Sequence, residues 1–268
     1  MNLELKEINE TINAISNSID QGAWQEAALR SEIIFDSLQK FAKSEIVLQL
    51  RFNLAGLFVD SGFFLKNKDI ISKGIQILEE DSEFYAMKFD VSYFYNLANA
   101  KLSIANDCGY KKDLISYEES ILYSEAKNLY WQVFKTIDKD AEPSLYYQNI
   151  INLANTLKQQ YRFSEAMHLY EKIVQTKLDY PEAFINRTTC LEMFDNFLSH
   201  RSEKMIQEII KGYTFAYFSP FSPNAYKQGY LEKIHFLQSK INDSDEDTDI
   251  KENKENKENK ENKENKEN

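Results

Sequence analysis

The chain has 268 residues, 43% of them apolar and 13% aromatic, with only 7 Gly and 4 Pro. That is ample material for a core and too little turn chemistry for a β-rich fold, so an all-α body is expected. The formal charge is −11, of which Asp243, Asp245, Glu246, Asp247 and Asp249 supply five negatives, while Lys and Glu cancel in the last eighteen residues. The mildly acidic remainder has no electrostatic footprint for nucleic acid or an anionic membrane, and neither is expected as a partner. Cys108 and Cys190 are too few for a disulfide framework, which makes a reducing compartment the default. The first residues are acidic where a signal peptide is basic, and no window approaches eighteen apolar residues. A soluble, cytoplasmic protein is expected.

Taken in order, the apolar residues repeat with helical period. Leu5, Ile8, Ile12 and Ile15 form a stripe, Asp20-Gln21-Gly22 is a turn, and Gly22-Ala23-Trp24-Gln25-Glu26-Ala27 opens a second helix reaching about Phe41. A second pair is expected over 44–81, with Gly62 ending its first helix and Gly74 as the small residue of its second. A third, over 84–138, carries Phe94-Tyr95-Asn96-Leu97-Ala98-Asn99 and then Ser124-Glu125-Ala126 with Tyr130; Asn106 to Tyr123 between them is excess, partly polar and partly extra helix. The fourth, over 145–178, has Ile150, Leu153, Ala154 and Leu157, a tight turn at Tyr161-Arg162, then Ala166, Leu169, Tyr170 and Ile173. The fifth, over 181–214, begins at Pro181 with Phe184, Leu191 and Phe194 on one face. Ser222-Pro223 then reads as a helix start, and Tyr226, Tyr230, Ile234, Leu237 and Ile241 as the stripe of a closing helix over 222–241. Residues 243–268, an acidic run followed by six copies of Lys-Glu-Asn, hold no apolar residue after Ile250 and are expected to be disordered.

Asn-Leu-Ala recurs at Asn53-Leu54-Ala55, Asn96-Leu97-Ala98 and Asn152-Leu153-Ala154. With Ile150, Leu157, Phe163, Ala166 and Tyr170, this resembles the tetratricopeptide repeat (TPR), whose first helix sets a large residue before Leu and a small residue. Departures are Ile173 where the family prefers Ala, Pro181 about three residues late, and Arg187 at a Leu position. The resemblance implies a right-handed α-solenoid of about five helix pairs over 1–242, a C-terminal capping helix and a disordered tail. Repeats of that kind are held by nearest-neighbour packing.

Chemistry leaves few marks. The glycines form no nucleotide loop, and His168, His200 and His235 stand in no zinc-binding pattern. Asp243, Asp245, Asp247 and Asp249 resemble the start of a calcium loop, but Thr248 stands where that loop needs Gly. The spacing of Arg162 and His168 resembles the Arg–His motif of HEPN ribonucleases, on surface positions of a repeat where a nuclease role is disfavoured. No catalytic residue, cofactor or metal is expected.

In the TPR family, Asn on the first helix of each pair can bond the backbone of a peptide lying in the groove. Asn53, Asn96, Asn152 and Asn186 occupy one position in four successive first helices, with Asn99 and Asn155 three residues further on. An amide both donates and accepts, which suits an extended backbone. Phe52, Tyr95 and Ile151 precede these residues and are placed to supply side-chain pockets. The same amides equally suit bridging adjacent helices, and both roles stay open. Gln148 and Glu182 stand where carboxylate-clamp co-chaperones carry a base, which disfavours that class. The resemblance thus implies a non-catalytic scaffold for an unidentified protein or peptide. The alternative is a regulatory or sensing module, as in bacterial stress or phage defence, with its effector on a partner or missing from this chain.

Overall fold

A computed structural model describes residues 3–109, 115–176, 180–198, 202–222 and 224–241. Among these are eleven helices and no strand. They are α1 (Leu3–Asp20), α2 (Trp24–Leu38), α3 (Glu45–Leu65), α4 (Lys68–Glu80), α5 (Ser82–Gly109), α6 (Tyr117–Thr136), α7 (Pro143–Gln159), α8 (Phe163–Val174), α9 (Pro181–Phe197) and α10 (Glu203–Phe218). The last, α11, spans 224–241. The expected disorder and calcium-like spacing of 243–268, and Pro223 of the expected cap, lie outside the described residues.

The chain divides into two compact units, Met1–Arg162 and Phe163–Asn268. In the first, each helix packs on the next, and α1 also meets α3, α3 meets α5 and α5 meets α7. That is the neighbour pattern of stacked helix pairs. In the second, α9 packs on α8 and α10, and Ile234 and Leu237 of α11 join Ile206, Ile209 and Tyr213 of α10. The Glu192 carboxylate accepts from Tyr213 Oη at 2.7 Å and from Lys233 Nζ at 2.6 Å, tying α9 to both.

Local chemistry sets the helix ends. Ser44 and Asn67 accept backbone N–H groups at the starts of α3 and α4, and Ser116 with Glu119 makes a reciprocal capping box at α6. Gly22 (φ 82°) makes the α1–α2 turn in a conformation that side chains disfavour. Tyr161 (φ 59°) lies in the expected tight turn between α7 and α8.

Of three expectations, two are corrected and one is given its bounds. Helix α3 does not end at Gly62 but runs to Leu65 and is closed by Lys66 (φ 53°). Gly62 is a packing glycine, since a Cβ there would lie 2.6 Å from Ile71 Cγ1 of α4. Second, α6 starts at Tyr117, seven residues ahead of the Ser124 motif, and this supplies the extra helix expected between Asn106 and Tyr123. Third, α3 is more apolar than expected. Its best window has a mean hydropathy of 1.2, the level of a membrane span, with 61% of that window buried inside the fold. The helix is apolar nearly all round because it packs against α1, α2, α4 and α5.

Helix α5 is broken at Asp90 (φ 25°, ψ −96°). The third pair was expected from residue 84, so the break falls inside its first helix and divides 82–89 from 91–109.

Candidate functional site

Helices α3, α5 and α7 of the first unit each present a narrow polar stripe at helical spacing. On α3 the stripe is Gln49, Asn53 and Asp60; on α5 it is Ser92, Asn96, Asn99 and Ser103; on α7 it is Gln148, Asn152 and Asn155. Asn53 is exposed, and Asn96, Asn99, Asn152 and Asn155 are half-buried. Of these ten side chains only Asp60 bears a charge, in a protein of which 28% is charged. Partial burial, and then the nearby Asp20, hold the Asp60 carboxyl above its ordinary value.

Neighbouring stripes touch. Asn152 Nδ2 donates to Asn99 Oδ1 at 3.0 Å and to Tyr95 Oη at 3.2 Å, bridging α7 to α5. Asn99 Oδ1 also accepts from Tyr130 Oη of α6 at 2.6 Å. Gln148 Nε2 donates to Asn152 Oδ1 at 3.4 Å, and the buried Asn149 donates to the Tyr130 carbonyl at 3.1 Å. The Tyr95 and Tyr130 rings meet edge to face at 6.1 Å. Burial pushes the Tyr130 phenol well above its ordinary pKa, so it is a neutral donor at any physiological pH. Between α5 and α3, Asn96 faces Gly56, where a Cβ would lie 4.0 Å from Asn96 Nδ2.

The sequence-derived residues are therefore not equivalent. Asn152 bonds both Asn99 and Tyr95, whereas Asn53 is exposed and Asn96 is half-buried with its amide beside Gly56. Phe52 is buried, its ring stacked on Phe89 at 4.3 Å and tilted against Tyr85 at 5.4 Å. Ile151 is fully buried. Asn186 lies half-buried on α9 of the second unit, where its carbonyl accepts from Thr189 Oγ1 at 3.0 Å. The sequence reading missed Tyr130 as a member of the polar network, having taken it as packing. Its hydroxyl was the available signal, because a buried phenol O–H needs an acceptor.

Elsewhere in the second unit, Thr214, Phe215, Phe218, Ser219, Pro220 and Phe221 line an apolar cleft of about 350 Å³ at the end of α10. Phe218 there is 73% exposed. Among the described residues no group of His, Cys, Asp and Glu has the geometry to hold a metal ion. Arg162 and His168 are both exposed.

No family model and no curated protein matches the chain. Among solved structures it is similar to a Podosopora anserina protein, described as a kinesin light chain with nearly identical TPR-like repeats. The TM-score is 0.46 at 16% identity, covering 90% of this chain and 99% of that one. At that identity and overlap, nothing of the other protein's function carries over. The architecture of the described residues is all-helical, with consecutive helices packed on one another.

Proposed function

We propose that the chain is a non-catalytic protein–protein interaction scaffold, which binds an extended segment of a partner along the polar stripes of α3, α5 and α7. One observation carries the reading: three adjacent helices line up uncharged amides and hydroxyls in a protein otherwise rich in charge. Such a surface offers little to a phosphate or a carboxylate and much to a peptide backbone, whose groups alternate donor and acceptor. Within the stripes the amides divide their work. Asn99 and Asn152 hold α5 to α7, and Asn53 and Asn96 face the bound segment. Asn155, on the α7 stripe, is assigned to the same ligand-facing role. A chain with two cysteines and no disulfide framework suits the cytoplasm.

The test is affinity capture from native lysate with the full chain and with the double variant Asn53→Ala and Asn96→Ala. Circular dichroism should be the same for both, because neither residue is in the core. A partner held by the parent chain and lost by the variant supports the reading. Equal capture would remove the stripes from the binding surface and leave the amides a purely structural role.

A further inference from the structure

The break at Asp90 sets the first piece of α5 apart from the residues that carry Asn96 and Asn99. Residues 82–89 lie across α3, with Phe89 stacked on Phe52 and Tyr85, fully buried, set against the same ring. Phe52 is the ring expected beside Asn53 as a pocket for a bound side chain, and here the chain's own aromatics occupy it. Of the segment's ion pairs, the one through Lys88 is exposed and those through Asp81 are largely buried at the Asp81 end. Lys88 pairs with Glu45 at 2.6 Å, with both side chains about half exposed, and Asp81 just ahead pairs with Lys43 at 2.6 Å and Arg51 at 3.8 Å. Met87 is 78% exposed, so one side of the segment faces solvent. At its far end stands Asp90, in a backbone conformation that non-glycine residues rarely adopt. Strain of this kind collects at points where a chain switches between conformations.

We infer that residues 82–89 form a hinged strap, which fills the Phe52 pocket from within the chain and opens about Asp90 to admit an aromatic side chain of a bound segment. The inference rests on the proposed peptide-binding role of the α3 stripe, but the opening itself needs no partner. When the strap is closed, the polar stripes stay accessible and the ring pocket beside them is occupied. A segment carrying Phe or Tyr at the matching position competes with Phe89 and Tyr85, and a segment without one does not.

Amide hydrogen exchange on the full chain tests the opening directly. The amides of 85–89 should exchange as one group, about tenfold or more faster than those of 47–62 and 92–106. They should speed up further in Lys88→Ala, and again on raising salt to about 0.5 M, because the Lys88–Glu45 tie is an exposed ion pair. Protection equal to that of α3, with no response to salt or to Lys88→Ala, would make the segment part of the core and overturn the strap. The pocket is tested with a synthetic peptide copying residues 82–90. It should bind Lys88→Ala more tightly than the parent chain, and its copy with both Phe and Tyr replaced by Ala should not bind. An opening strap with no preference for the aromatic peptide would overturn the pocket. Loss of the scaffold reading in the capture experiment would leave the exchange result standing, so the two failures are distinguishable.

Discussion

Asn99 Oδ1 receives hydrogens from two donors of unequal burial, Tyr130 Oη and Asn152 Nδ2. Replacing Asn99 with Ala strands the fully buried Tyr130 hydroxyl and should cost about 1–3 kcal/mol. Replacing Asn152 with Ala leaves the Tyr130–Asn99 bond intact and should cost about 1 kcal/mol. Urea midpoints should therefore fall further for Asn99→Ala, and the reverse order would show that Asn152 is the keystone. Asp60 carries a different signature. Its carboxyl is held above the ordinary 3.8 by partial burial and then by Asp20, so in the fold the ionised form is the disfavoured one. The stability tied to this group is complete at acid pH and is lost as pH rises through the raised pKa. Asp60→Asn should melt above the parent near neutral pH, with the gain fading as pH drops below the ordinary carboxyl range. A gain that persisted at low pH would have a cause other than ionisation.

Helices that cross closely depend on what is missing between them. A Cβ on Gly212 of α10 would lie 2.0 Å from Thr188 Oγ1 of α9. Gly212→Ala should destabilise by about 1–3 kcal/mol through overpacking, and Thr188→Ala in the same chain should recover part of the loss, read as a double-mutant cycle in thermal melts. Full additivity would mean that the two helices separate without strain. At Asp90 the backbone, not packing, decides. Asp90→Val, β-branched at positive φ, should fall about 1–3 kcal/mol below Asp90→Gly. Much at this scale was legible from apolar spacing: the stripe Leu5, Ile8, Ile12 and Ile15 is buried, as are Ala126 and Tyr130 of α6. Gly62 misled because local rules treat a mid-helix glycine as a stop, whereas Ile71 from the next helix is what requires it. The break at Asp90 was illegible for a related reason, since the aromatic spacing is helical on both sides of it and only the backbone marks the division. The Asn99–Asn152 bond joins residues 53 apart, and no local pattern encodes such a pairing.

Across the whole molecule the two units make separate claims on stability. Ala154 in the first unit and Ala166 in the second are both fully buried, and a Leu at either should cost about 1–3 kcal/mol. Stacked helix pairs pass such damage mainly to their neighbours. Amide exchange should accordingly quicken around α5–α7 for Ala154→Leu and around α8–α9 for Ala166→Leu, and uniform quickening in both variants would show a single cooperative body. The repeat pattern read from the sequence said nothing of the division after Arg162, because the periodicity of α7 and α8 is unbroken across it. The uncharged stripes have a consequence for how fast and under what conditions a complex would form. A face with almost no charge exerts no long-range pull, so association should run at the unsteered rate of about 10⁵–10⁶ M⁻¹s⁻¹. By the same physics, little of the binding is open to screening, and a partner held there should survive a salt wash that strips ion-paired complexes away.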